Sequence, residues 1–210
     1  MTPAASAVDQ LGERIRLVRL ERGMGVRELA RRIDCSPSMI SQIERGSTKP
    51  SVSTLYAIST ALSISTDSLI TGVPDDDDVT APSAGAPALA NRRPGAPDIV
   101  LHPGERRVLN LERGVQWQLL MPVPDPSTEF MEVTYAPGGG SVAADHAIRH
   151  NGREYCVILE GVLSVQIGFE SFALEPGDSM AFDSTIPHRF WNEGERTVRA
   201  VWFVLDRRPS

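Results

Sequence analysis

The chain changes its hydrophobic period once, across residues 73–98, and that change governs what it can fold into. "VPDDDDVTAPSAGAPALANRRPGAPD" holds five prolines, four consecutive aspartates and almost no large apolar residue. Such a stretch cannot bury enough surface to offset its ordering entropy, so it predicts a flexible linker between two separately cored segments. Asp75 to Asp78 lack the alternating oxygen ligands and following Glu of a calcium loop, and read as a solvated acidic run. At 210 residues, the chain is long enough for a core on each side of the linker.

Before the linker the period is helical. After an N-terminal tail (residues 1–10), Leu11, Ile15 and Val18 recur at helical spacing until Gly23 stops the run. "VRELARRI" puts Val26, Leu29, Ala30 and Ile33 on one face. Ser36-Pro37, an N-cap followed by Pro at the first helical position, opens "PSMISQIERG", which buries Ile40 and Ile43. Ser51 caps "VSTLYAISTAL", with the stripe Leu55, Ile58 and Leu62, and Ser65 caps a last turn around Leu69. Residues 11–72 thus predict an all-α unit of five short helices.

After the linker the period is that of strands: "RRVLNL", "VQWQLLM", "EFMEVTYA", "YCVILEG", "VLSVQIG", "SFALE", "SMAFD", "HRFWN" and "TVRAVWFVL". Turn signals at Pro137-Gly138-Gly139-Gly140, Pro176-Gly177-Asp178 and Asn192-Glu193-Gly194 separate them. Residues 99–206 predict an all-β sandwich or barrel.

Charge divides along the same line. Residues 1–74 carry nine basic and seven acidic side chains, net +2, whereas the remainder is net −8. Only the head suits a polyanion. Cys35 and Cys156 lie in different segments without metal-type spacing, as expected of buried free thiols in a reducing compartment. "MTPAASAVDQ" has neither the basic nor the apolar region of a signal peptide, and no apolar run approaches the roughly 20 residues of a membrane span. These features predict a cytoplasmic protein with no membrane partner.

Two helices joined by a tight turn, the second beginning with small polar residues, suit a helix-turn-helix at about residues 26–45 that inserts its second helix in the major groove. Ser38, Ser41, Gln42 and Arg45 lie away from the Ile40/Ile43 face. Gln can bond two atoms of an adenine edge, Ser serves either base type, and Arg suits phosphate or guanine. The string "ERIRLVRLERGMGVRELARRIDCSPSMISQIERGSTKPSVSTLYAISTALSIS" resembles the five-helix DNA-binding domain of the XRE family, a lambda-repressor-like bundle. The resemblance implies an interior ion pair between Arg19 and Glu44, base contacts from Ser38, Ser41 and Gln42, and phosphate contacts around Arg45 and Lys49. Two positions depart from the pattern. Val26 stands where a polar residue often contacts phosphate, and Pro37 where some relatives read a base.

"DHAIRHNGREYCVILEG" (residues 145–161) reads as a strand, a turn and a second strand. With "PGDSMAFDSTIPHRFWN" it resembles the two motifs of the cupin (jelly-roll) barrel. His150, Glu154 and His188 match three of that family's four metal ligands, and Ile148 takes the place of the fourth, a histidine. His146 shares a strand face with Ile148 but lies about 6.6 Å along it, too far for direct replacement. If Asn151-Gly152 formed a tight hairpin, His150 would sit opposite Arg153 and Glu154 would point to the other face. A shared site then needs a wider loop.

His150, Glu154 and His188 would form a two-histidine, one-carboxylate set for a divalent metal such as zinc, iron, manganese or nickel. The alternative is a metal-free cavity for an organic ligand, lined in addition by Trp117, Met131, Tyr135, Ile148, Phe190 and Trp202. Two functions follow. One is a dimeric, sequence-specific transcriptional regulator that binds an operator on double-stranded DNA and senses a small-molecule effector through the cupin domain. The other is a metal-dependent cupin enzyme of dioxygenase or isomerase type with a DNA-binding appendage; the substituted ligand at Ile148 favours the regulator.

Overall fold

The computed structural model of the chain describes residues 7–72, 99–125 and 127–205. The expected linker at 73–98 and its aspartate run therefore lie outside the described residues. Five helices come first: α1 (Ala7–Glu21), α2 (Val26–Arg32), α3 (Pro37–Glu44), α4 (Val52–Leu62) and α5 (Thr66–Thr71). Helix α1 begins inside the segment expected to be a tail, since no residue of Ala7-Val8-Asp9-Gln10 breaks a helix. Ser36, Ser51 and Ser65 act as the expected N-caps. Their side chains accept from the backbone N–H of Met39, Thr54 and Ser68, supplying an acceptor to one orphan donor of each helix.

The helical core is built from the residues at helical spacing, with Leu11, Ile15, Leu29, Ile40, Leu55, Ile58, Leu62 and Leu69 all fully buried. Two features fix α1 against α3. A Cβ at Gly12 would lie 2.3 Å from the Ile43 carbonyl oxygen, so only glycine permits this close a crossing. About two turns further along α1, Arg19 and Glu44 form the expected interior ion pair. Nε and Nη2 donate to the two carboxylate oxygens at 2.6 and 2.9 Å, and Nη1 donates to the Met24 carbonyl at 2.8 Å. The fork-to-fork geometry satisfies both buried charges and anchors the C-terminal end of α3.

The nine strands expected from the sequence are present: β1 (Val108–Asn110), β2 (Val115–Leu119), β3 (Thr128–Tyr135), β4 (Arg153–Glu160), β5 (Leu163–Ile167), β6 (Glu170–Leu174), β7 (Ser179–Asp183), β8 (His188–Trp191) and β9 (Val198–Leu205). They form two antiparallel sheets, one of order β1-β2-β3-β9-β4-β7 and one of order β6-β5-β8. Alternation places Trp117, Met131, Val133, Tyr135, Cys156, Ile158, Ala200 and Trp202 inside. Cys35 and Cys156 are free thiols, the latter buried, and burial pushes the Cys156 thiol up to about 12.

One expectation is corrected. Asn151-Gly152 is not a hairpin turn of either width. Ile148 bridges His188 at the start of β8, and Arg153 pairs with Asp183 at the end of β7, so the chain on both sides of Asn151-Gly152 keeps running antiparallel to residues 183–188 without reversing. Gly152, at φ +125°, lets the backbone bow without reversing. His150 and Glu154 consequently share a face of one interrupted strand.

The head packs on the β domain at several points. The Glu112 N–H donates to the Pro50 carbonyl (2.9 Å), Arg107 donates to the Thr71 carbonyl (2.8 Å), and the Tyr56 hydroxyl donates to Glu129 (2.7 Å). No helix among the described residues is long and apolar enough to cross a membrane. Removing one partner of the Arg19–Glu44 pair leaves the other charge buried, so Glu44→Ala is expected to destabilise the head by about 3–5 kcal/mol. Thermal unfolding followed by circular dichroism measures this, and a loss under about 1 kcal/mol, typical of exposed pairs, would refute the anchoring role.

Candidate functional site

The inner face of the six-stranded sheet carries a row formed by Glu129 on β3, Val204 on β9, Glu154 on β4 and Phe182 on β7. His188 approaches this row from β8 in the other sheet, and His150 approaches from the bowed segment before β4. Glu154 Oε1 lies 2.8 Å from His150 Nε2 and 3.1 Å from His188 Nε2. The ligand atoms of the three residues all fall within 4.8 Å of one another. The three sequence-matched residues thus converge, with Glu154 and His188 buried and the His150 side chain only 6% exposed.

The tautomers follow from the backbone. His188 Nδ1–H donates to the Ile186 carbonyl at 2.9 Å, and His150 Nδ1–H to the Asn151 carbonyl at 3.2 Å. In a neutral imidazole that leaves a lone pair on each Nε2, and both lone pairs face the same carboxylate oxygen. His150 Nε2 and Glu154 Oε1 are buried without a hydrogen-bond partner among the described residues. Three electron-rich atoms pointed at one spot require a positive centre, either a proton on an imidazole or a metal ion. Donors around one tetrahedral zinc would lie about 3.3 Å apart, close to the separations found here. The residues fit a divalent cation.

Glu154 Oε2 is held from the other side by the Trp202 indole N–H at 2.7 Å. Burial alone would push the Glu154 carboxyl up, but contact with His150 and His188 outweighs it and holds the group well below the usual carboxylate range. Burial likewise disfavours charge on His150, and Glu154 and Glu129 override it, raising its pKa. The triad therefore retains an ionised carboxylate as its hard oxygen donor.

Ile148 is buried in the wall, where the fourth ligand would stand. His146 is exposed and paired with Asp145 at 2.7 Å, away from the triad. Trp117, Met131, Tyr135, Phe190 and Trp202 line the cavity with the triad as expected. Three lining residues escaped the sequence analysis: Val133 on β3, and Val52 and Tyr56 from α4 of the head. The Tyr56 ring stacks on His150 with centroids 4.1 Å apart and planes 9° from parallel, and lies 5.9 Å from Trp117. Burial, then the charges of Glu129 and Glu154, push its hydroxyl well above the ordinary tyrosine value, so it stays protonated and donates to Glu129. Its one signal in the sequence is an aromatic residue beside the apolar stripe of α4.

In the head, Ser38, Gln42, Arg45 and Lys49 are exposed and Ser41 is half-buried, its hydroxyl donating to the Pro37 carbonyl at 3.0 Å. Arg45 is the residue after α3 rather than part of it. Gln42 accepts from the Thr48 hydroxyl at 3.3 Å, which orients its amide. Met39 is 39% exposed on the same helix and offers an apolar contact that polar patterning overlooked.

Residues 15–69 match a helix-turn-helix family model and residues 131–204 a cupin domain model. The sequence is 24% identical over 191 residues to the HTH-type transcriptional regulator PuuR of Escherichia coli (strain K12), spanning 90% of this chain and 91% of that one. It is also 24% identical over 188 residues to the HTH-type transcriptional regulator SutR of the same organism, spanning 90% of each. A crystal structure of an HTH_3-family transcriptional regulator from Vibrio cholerae shares the fold, with a TM-score of 0.64 at 22% identity, covering 97% of this chain and 100% of that one.

Trp202→Phe keeps an aromatic ring in the wall but removes the donor to Glu154. It is expected to weaken zinc binding by about 10–100-fold, as loss of an outer hydrogen bond to a metal-ligating group does. Competition titration against a chromophoric chelator reads the change, and unaltered affinity would exclude Trp202 as a positioning residue.

Proposed function

Because the chain is a DNA-binding transcriptional regulator that joins an XRE-type helix-turn-helix to a cupin domain, we propose that it reads a specific operator and senses a small-molecule effector through the cupin cavity. The observation that carries the sensing role is the convergence of His150, Glu154 and His188 inside a cavity also walled by the head. Trp117, Tyr135 and Phe190 supply its aromatic lining. The triad would hold a divalent metal (zinc, iron, manganese or nickel) through two imidazoles and one carboxylate, and the metal would supply a Lewis-acidic anchor for the effector. The regulator reading, rather than a dioxygenase or isomerase, rests on the regulators with which the chain aligns along nine-tenths of its length.

On the DNA, Ser38, Ser41 and Gln42 contact base edges while Arg45 and Lys49 contact phosphates. A head of net charge +2 gives modest electrostatic affinity, so two heads on one operator are needed. Dimerisation is supported by a cross-strand ladder on the outer face of the six-stranded sheet. Phe130, Phe203 and Tyr155 lie side by side there, each more than a third exposed. The linker 73–98 would tether the head (11–72) to the cupin domain (99–206).

Fluorescence anisotropy with DNA from upstream of the chain's own gene tests the DNA role at physiological salt. Gln42→Ala is expected to cost about 1–3 kcal/mol and relax base preference, whereas Lys49→Ala weakens all sequences alike and lowers the salt slope by about 1. Equal binding of upstream and random DNA would refute the operator reading. Phe203→Glu is expected to convert dimer to monomer in sedimentation velocity, and a parent protein already monomeric would refute dimerisation.

A further inference from the structure

Two cavities meet at one aromatic ring. The inner cavity, around the triad, has a volume of about 20 Å³. That is room for roughly one water and no organic molecule. The outer cleft, between α4–α5 of the head and the edge of the β domain, has about 500 Å³, within the usual range for small-molecule sites. Its walls combine hydroxyl, amide and carboxylate groups, among them Ser59, Ser63, Glu129 and Asn151, with the apolar side chains of Ile64 and Val204. Tyr56 and His150 belong to the walls of both.

We propose that the effector site is shared by the two domains, with Tyr56 as the gate between cleft and triad, so that a small polar effector reaches the triad only when Tyr56 leaves His150. The inference rests on the sensing role proposed above and adds to it the site's second half, the class of effector and the means of coupling. Tyr56 covers one face of the His150 ring and is tied by its hydroxyl to Glu129. Val52, one turn earlier on α4, closes the same inner cavity. Residues four apart share a helix face, so opening the cavity to anything larger than water displaces that face of α4. Because α4 is part of the DNA-binding head, the docked head and the effector exclude each other from the same volume. Steric exclusion supplies the difference in effector affinity between docked and undocked states that any shift of equilibrium requires. A single metal ion, in contrast, fits the triad with the head in place. The mixed walls of the cleft suit a small effector that carries hydrogen-bonding groups beside an apolar part.

The chain's own tryptophans report on the gate. Of its three, Trp117 and Trp202 line the inner cavity, so a Trp191→Phe background isolates them. Acrylamide, a small neutral amide, serves as the probe on the full chain. Quenching is expected to be weak in this background and to rise several-fold in Tyr56→Ala, with Tyr56→Phe intermediate. Glu129→Ala, which releases the hydroxyl without touching the helical core and leaves the ring, is expected to match the intermediate quenching of Tyr56→Phe; the two carry the test if circular dichroism shows Tyr56→Ala unfolded. Equal quenching in the background protein and the gate variants overturns the gate and leaves the sensing role standing. Unequal quenching, with no small molecule retained by any variant in native mass spectrometry of protein purified from cells, overturns the sensing role and the effector function of the gate with it.

Discussion

A carboxylate buried between two imidazoles and an indole organises the β domain. Glu154 sits on an inner sheet face whose other positions, Glu129 apart, are mostly apolar, where an isolated charge would cost several kcal/mol. It is retained because His150, His188 and Trp202 surround it, each from a different part of the chain. His188 arrives on the three-stranded sheet, Trp202 on the central strand β9, and His150 on the bowed segment before β4. The two sheets are thus joined across the sandwich by a polar contact as well as by apolar packing. The same arrangement leaves two imidazole lone pairs aimed at one oxygen, a geometry that invites a cation.

Helix α4 belongs to both domains in physical terms. Leu55, Ile58 and Leu62 bury one face in the head, while Val52 and Tyr56 close the cavity of the neighbouring domain. A ring stacked on an imidazole and bonded to Glu129 puts the DNA-reading unit within one side chain of the triad. The exposed α3 surface, with Ser38, Gln42 and Arg45, stays open in this docked arrangement. Docking therefore bears on where the head is held rather than on whether the reading face is accessible.

Much of this was legible in the residues. Serines at 36, 51 and 65 marked helix starts because a hydroxyl placed there meets an orphan N–H, and all three do so. Alternation and turn signals located the nine strands, most of which have one face in the core. His150, Glu154 and His188 came from the resemblance to the cupin motifs, and the structure brings these three together with Ile148 in the wall and His146 exposed. The local rule failed at Asn151-Gly152. That dipeptide favours a tight hairpin in isolation, but here the segment before it pairs with the start of β8 and the segment after it with β7, and those bonds outweigh the turn preference.

The sequence by itself determined the two-part architecture, the helical and strand segments, and the chemistry of the triad, because periodicity, caps and side-chain type are local properties. Only the tertiary structure decided that His150 and Glu154 lie on one face of an interrupted strand, that Trp202 fixes the carboxylate, and that Tyr56 closes the cavity. Each of these depends on which surfaces meet across tens of residues, 94 in the case of Tyr56 and His150, and no local pattern encodes that meeting.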